Sequence, residues 1–156
     1  MANLSGPPIS EQIEKAISER LGAKDKTPYV AESRIAELET IEHADFDLSK
    51  LVQLCRELEV AWLHDSHYSV IFIVRAIIDH IPPIFGVNSF SQVASNYGGG
   101  KSFKNSMEHL AASSRKIADN HLHSQMRKSE TTPNPVQVDF SRDLDVLLAE
   151  VVRLLR

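Results

Sequence analysis

The sequence has little cysteine and no long uninterrupted apolar run, and each shortage excludes a class of protein. The single cysteine, Cys55, among 156 residues has no partner for an internal disulfide, which argues against a disulfide-stabilised secreted domain and predicts a cytoplasmic location. The longest apolar stretch, 70–78, is interrupted by Arg75 and is too short to span a bilayer, so no membrane association is expected. The first ten residues lack both a basic start and an apolar core, so no secretory signal is predicted.

The chain as a whole has no excess of positive charge, but one of its segments does. The formal net charge is −4, which argues against a uniformly basic nucleic-acid-binding protein. Residues 101–128 nevertheless hold six basic and two acidic side chains, and they also contain His109, His121 and His123. This concentration of cations and imidazoles predicts where function resides.

Apolar residues recur at helical spacing along most of the chain, and no repeat or β-hairpin pattern is present. Helices are predicted over 9–21, 28–41, 48–62, 66–81 and 89–97, from Ser102 onward, and over 140–155. The segment 66–81 is apolar on nearly all sides and is placed at the centre. A buried strand over 70–74 is the competing interpretation, because β-branched residues are frequent there. The prediction is an all-α, antiparallel helical bundle with one central apolar helix.

Two segments partly match known phosphate-binding and metal-binding motifs, but each lacks an essential feature. Gly98–Ser102 resembles a phosphate-binding loop, but Ser95 stands where that motif needs a glycine. Asp119, His121 and His123 alternate along the chain, and adjacent members of the set would point away from each other on a helix. No cofactor and no metal site is therefore predicted. A metal-dependent enzyme that completes His121 and His123 with distant ligands is the remaining alternative.

Arg75 lies within the most apolar predicted helix, where an unpaired guanidinium would be costly. Asp79 follows one helical turn later and is a suitable ion-pair partner, and His80 is next to it. These three residues are predicted to form a polar network. One interpretation gives the network a packing role only, and the other places Arg75 in a polar cleft that faces 115–123.

The segment that begins at Arg115 has a composition suited to phosphodiester chemistry. On a helix, Asp119 lies about 40° and His123 about 80° around the axis from Arg115, whereas His121 lies on the opposite side. A guanidinium that holds phosphate, an imidazole that moves a proton and a carboxylate that orients it would suffice without a metal. Helical geometry therefore makes Arg115, Asp119 and His123 the catalytic candidates.

Together, the segments 67–79 and 115–123 resemble the HEPN superfamily, in particular bacterial members that carry "Arg-Ala-(Leu/Ile)-(Leu/Ile)-(Glu/Asp)" followed by "Arg-Lys-(Leu/Ile)-Gly-Asn-x-x-x-His". The resemblance covers 46–155. It implies a helical domain over 46–156 preceded by a helical extension over 1–45. It also implies an antiparallel bundle that forms homodimers, and a metal-independent ribonuclease or a non-catalytic binding module.

In this resemblance Arg115 corresponds to the family arginine, and two histidines lie at spacings from it that the family uses. His121 matches Arg-x5-His and His123 matches a longer Arg-x7-His variant, with Asp119 where that variant usually has asparagine. The implied partners are RNA, a second copy, and an antitoxin or larger phage-defence complex. Three further basic residues are expected to contact the RNA backbone: Lys116, Arg127 and Lys128. The alternative function is a non-catalytic helical module for dimerisation or partner binding.

Overall fold

The structure is a computed structural model that describes residues 8–21 and 26–156. Within these ranges the chain is all-α and contains no strand, which confirms the predicted fold class. The helices are α1 (Ile9–Leu21), α2 (Glu32–Glu39), α3 (Ser49–Leu63), α4 (His67–His80), α5 (Phe90–Asn96), α6 (Lys101–Leu122), α7 (Pro135–Val138) and α8 (Ser141–Leu155), with a 3₁₀ turn over Pro82–Phe85 between α4 and α5.

Helix α4 packs against both α3 and α6, but its outer face, with Tyr68 and Phe72, is exposed, so it is not enclosed on nearly all sides as its composition predicts. Its inward residues Val70, Val74 and Ile77 are almost completely buried. The competing strand over 70–74 is wrong, because the whole apolar segment is long enough to bury a helical face against two neighbours. By length and composition alone, the segment His67–Phe85 would also be apolar enough to cross a membrane. In the structure 39% of that segment is buried, and its buried residues pack between helices.

The neighbouring helices run antiparallel to α4. A tight turn joins α3 to α4, with Asp65 in the left-handed conformation at φ 55°. Tyr68 at the start of α4 contacts His121 at the end of α6, while Arg75 and Arg115 line one cleft further along. Helix α8 packs on α6 and presents the predicted apolar stripe, whose inward members are buried: Leu144, Leu147, Leu148, Val151 and Leu155.

Residues 26–45 of the predicted N-terminal extension share the core of the other helices, whereas no α1 residue belongs to that hydrophobic cluster among the described residues. Helix α2 packs on α3 and α8, and its Ile35 and Leu38 are buried in the same hydrophobic cluster. Tyr29 is also buried there, and its hydroxyl donates to the Val138 carbonyl at 2.7 Å. A boundary at residue 45 therefore does not mark a separate hydrophobic core for 26–45. Residues 1–7 and 22–25 of that extension lie outside the described residues.

Two helix starts differ from the sequence prediction. The helix predicted over 28–41, with Thr27 as its cap and Pro28 as its first residue, instead begins four residues later at Glu32. Helix α6 begins at Lys101 with Gly100 before it, so Ser102 lies inside the helix. The prediction for α5 is confirmed, because Ser89 precedes the helix and forms a reciprocal capping box with Gln92.

Candidate phosphate-binding cleft

A cleft of about 240 Å³ opens between α4, the beginning of α5 and the middle of α6. Its polar side chains come from all three elements, and its apolar surface comes from Pro82, Phe90 and Ala111. The polar lining consists of Arg75, Asp79, Asn88, Ser89, Ser91 and Arg115. Two guanidinium groups and one carboxylate give the lining a net charge of +1 at neutral pH.

The first guanidinium belongs to an exposed stripe of α4. Arg75 Nε donates to Asp79 Oδ2 at 3.0 Å, which is the pair expected from their i, i+4 spacing. The Arg75 side chain retains 36% of its accessible surface, so the pair is not sealed within the core. Both interpretations of Arg75 thus describe part of the structure: it pairs with Asp79, and it also lines a polar cleft with Arg115.

The second guanidinium is presented by α6. Arg115 is exposed and has no hydrogen bond or ion pair with any residue in the described ranges. Side chains on an α-helix lean towards its N-terminus, and Arg115 lines the cleft together with Ala111, one turn before it. A cation that lacks a carboxylate partner in a concave site is available to bind an anion.

The rim of the cleft is fixed by the turn that precedes α5. The backbone N–H groups of Asn88 and Ser89 donate to Gln92 Oε1 at 2.9 and 3.2 Å. This capping arrangement fixes the turn at the start of α5, and Ser91 lines the cleft beside it. The sequence pattern predicts a helix that starts at Ser89 but gives no sign that this turn borders a site.

The catalytic candidates at the end of α6 do not line the cleft. Asp119 and His123 are exposed, and His123 is the residue at which the helix ends. The His121 ring contacts Tyr68 edge to face, with centroids 6.2 Å apart. Among the described residues, no hydrogen bond or ion pair joins Arg115, Asp119 and His123. Helical rise places His123 about 12 Å along the axis from Arg115, in the direction away from the cleft.

The three predicted backbone-binding residues are exposed. Lys116 lies on α6 next to Arg115, while Arg127 and Lys128 lie in the loop that follows the helix. The Arg127 backbone N–H donates to Glu130 Oε1 at 2.6 Å, and its guanidinium is 3.8 Å from the same carboxylate. In the described ranges, Lys116 and Lys128 have no such carboxylate partner.

His80 does not join Arg75 and Asp79 in their cleft. It lines a separate, more apolar cleft with Phe46 and Ile84, near the start of α3. Partial burial lowers the pKa of His80, and the positive charge of Lys50 lowers it further. The predicted network is therefore divided between two faces of α4, because a residue one position after Asp79 points about 100° away from it.

A histidine–carboxylate pair on the opposite side of α6 was not found from the sequence. His109 Nδ1 lies 2.6 Å from Asp143 Oδ2, at the edge of a cavity of about 520 Å³ that Val136 and Arg142 also line. No local pattern could have revealed this pair, since the two residues meet only when α6 packs on α8. In the part of the chain that the structure describes, no three His, Cys, Asp or Glu side chains are grouped to hold a metal ion.

Comparison with protein-family models, with curated proteins and with solved structures finds no match. The resemblance to HEPN domains therefore remains a prediction from the motifs of α4 and α6.

Proposed function

We propose that this protein binds RNA through the phosphate backbone, with the cleft between α4 and α6 as its principal phosphate site. The observation that carries the proposal is the convergence of Arg75 and Arg115 on one cleft that contains a single carboxylate. Guanidinium groups match the geometry of phosphate oxygens and remain charged at all physiological pH values. The hydroxyls of Ser89 and Ser91 add neutral donors beside them.

The surroundings of the cleft favour a polyanion over a small anion. Lys116 is exposed next to Arg115 on α6, and Arg127 and Lys128 are exposed in the loop that follows the helix. Each phosphate contact made by such a side chain releases bound counterions from the nucleic acid, so affinity should fall steeply with salt. RNA is preferred over DNA as the partner because of the HEPN resemblance, which is carried by Arg75–Asp79 and Arg115–His123.

Cleavage of the bound RNA is the catalytic form of the proposal. A histidine would take the proton of a 2′-hydroxyl as its oxygen attacks the adjacent phosphorus, and the bond from phosphorus to the 5′ oxygen would break. A proton delivered to that leaving oxygen would complete the step, which gives a 2′,3′-cyclic phosphate and a 5′-hydroxyl. Arg115 would stabilise the charge that develops on the phosphate. Because His123 lies about 12 Å beyond Arg115 along α6, a histidine from a second copy is the preferred partner in a homodimer.

The binding proposal is tested by fluorescence anisotropy with a labelled RNA in EDTA at several salt concentrations. Arg115→Ala should weaken binding and reduce the slope of log affinity against log salt by about 1. Arg142→Ala, which removes an arginine from α8 outside the cleft, is the matched control. Equal affinity and slope for wild type and Arg115→Ala would overturn the proposal.

The catalytic form is tested on the same RNA by gel analysis of its products, again in EDTA. Loss of cleavage in Arg115→Ala and in either His121→Ala or His123→Ala, with His109→Ala still active, would support it. Binding without cleavage at any protein concentration would leave an RNA-binding protein. Cleavage that disappears in EDTA and returns with a divalent metal would support the metal-dependent alternative.

The second candidate function is binding of a protein partner. The exposed apolar side chains of α1 favour it. Ile9 and Ile13 lie one turn apart on α1 and are 76% and 51% exposed. Apolar side chains aligned on one helix face are typical of a surface that another protein covers. Light scattering on wild type and on the Ile9→Asp, Ile13→Asp double variant tests self-association. A mass that is unchanged in the double variant would exclude this face as a homodimer contact.

A further inference from the structure

Helix α4 exposes two aromatic rings on the surface that leads to the cleft. Tyr68 is 42% and Phe72 is 57% exposed, although the opposite face of the same helix is fully buried. Large aromatic side chains are costly to leave in water, and adjacent exposed rings are typical of a binding surface. Their exposure is not evident from the sequence, because both rings belong to the most apolar segment of the chain.

The two rings are in register with the first cleft arginine. Tyr68, Phe72, Arg75 and Asp79 follow one another at intervals of four, three and four residues, which is a single stripe along an α-helix. The helical rise places Phe72 about 4.5 Å and Tyr68 about 10 Å from Arg75 along the axis. A ligand anchored at Arg75 and extended along α4 would therefore pass over both rings.

Helix α6 provides the other side of this path. Arg115 faces Arg75 across the cleft, and the edge-to-face contact with His121 orients the Tyr68 ring. The combination of two cations at one end and two flat apolar rings along the stripe matches a chain that alternates phosphates with planar bases. It does not match a purely apolar partner, because the end of the stripe at the cleft is charged.

We propose that Phe72 and Tyr68 form a stacking platform for unpaired bases, and that the protein selects single-stranded RNA whose phosphate occupies the cleft of Arg75 and Arg115. This inference rests on the proposed RNA-binding function. Bases in a duplex are stacked on each other and cannot lie flat on a protein ring, whereas unpaired bases do so readily. Phe72 and Tyr68 are specificity-determining residues in this scheme, and Arg75 and Arg115 set the affinity for the backbone.

The test uses 2′-O-methyl RNA, which the proposed cleavage cannot cut, with 2-aminopurine as one of its bases. Stacking on the platform should quench the 2-aminopurine fluorescence of the single strand. Phe72→Leu should remove that quenching and weaken single-strand binding at least about five-fold, while duplex binding changes less than about two-fold. Phe72→Tyr retains a flat ring and should behave as wild type, and Val136→Ala removes an exposed apolar side chain elsewhere as a control.

The outcomes separate this inference from the function on which it rests. If Arg115→Ala weakens binding but Phe72→Leu changes neither quenching nor affinity, the platform is wrong and RNA binding stands. If wild type binds single strand and duplex equally and without quenching, the inference is likewise overturned. If wild type binds neither, both proposals fail. If Phe72→Leu converts a dimer into a monomer with unchanged RNA affinity, the surface belongs to a second copy and the platform is overturned.

Discussion

Arg75 and Arg115 come from antiparallel helices and line the same cleft, but only Arg75 has a carboxylate partner there. Asp79 neutralises part of the charge of Arg75 and leaves Arg115 as the uncompensated cation. The net charge of the cleft therefore depends on one carboxylate and two guanidinium groups, and a single substitution can change it. It sets how strongly the site attracts an anion.

The charge of the cleft gives a direct prediction for Asp79. Asp79→Asn removes the only carboxylate among the lining residues, so RNA affinity at low salt should rise by about two- to five-fold. Fluorescence anisotropy at low and high salt measures the change, which should shrink as salt screens the cleft. Asp45→Asn, at the edge of a different cleft, is the control and should have a smaller effect. Weaker binding by Asp79→Asn would mean that orientation of Arg75 matters more than net charge.

Tyr29 is predicted to be important for stability because its hydroxyl joins two backbone groups. It donates to the Val138 carbonyl at 2.7 Å and accepts from the Phe140 N–H at 2.8 Å, in a buried position. Tyr29→Phe leaves both groups without this partner and should lower the free energy of unfolding by about 1–3 kcal/mol. Urea denaturation measures the loss. Tyr68→Phe removes an exposed hydroxyl and should leave the midpoint unchanged; equal midpoints for both variants would contradict the prediction.

Gly99 is predicted to be intolerant of a side chain, and Gly98 to tolerate one. A Cβ at Gly99 would lie 2.7 Å from Cδ1 of Phe103, whose ring also packs against Tyr97, whereas a Cβ at Gly98 meets nothing within 4 Å. Gly99→Ala should therefore destabilise the protein by about 1–3 kcal/mol through displacement of Phe103. Gly98→Ala should be neutral or slightly stabilising, because it restricts the unfolded chain. Thermal unfolding of the two variants compares them directly, and equal melting temperatures would be the contrary result.

Cys55 should be unreactive in the folded protein and should make folding sensitive to alkaline pH. The thiol is fully buried, and burial raises its pKa from 9.0 to about 12. Above pH 9 the unfolded chain loses this proton while the native protein keeps it. Stability should therefore fall, by up to about 1.4 kcal/mol per pH unit, as pH rises from 9 towards 12. Burial raises the pKa of Tyr29 as well, so its contribution has the same sign.

Two measurements check the Cys55 prediction. A thiol reagent at about pH 8 should label the native protein only at the rate at which it opens, and should label it quickly in urea. Urea denaturation at about pH 8 and about pH 10 should show a shallower alkaline loss for Cys55→Ala than for wild type. Rapid labelling without denaturant would show that the thiol is accessible in the folded state.

Much of the helical architecture could be predicted from local patterns. The stripe of α8, the apolar segment of α4 and the capping sequence at Ser89 each specify a helix by periodicity or by hydrogen bonding within a few residues. The start of α2 was predicted incorrectly at Thr27 and Pro28. There the chain is held by tertiary contacts instead, such as the one from the Trp62 indole N–H to the Thr27 carbonyl at 3.0 Å.

The sequence by itself determined that this protein is helical, that 67–80 forms a helix with a strongly apolar face and that 101–128 holds a local excess of basic residues. Periodicity and charge are local properties, so they can be identified from the amino-acid sequence without a structure. Only the tertiary structure decided which cations share a cleft, that His80 and the histidines of α6 lie outside it, and that Tyr68 and Phe72 face solvent. Those relationships depend on the rotation of each helix about its axis against its neighbours. That rotation is fixed by the packing of the whole core, not by any segment alone.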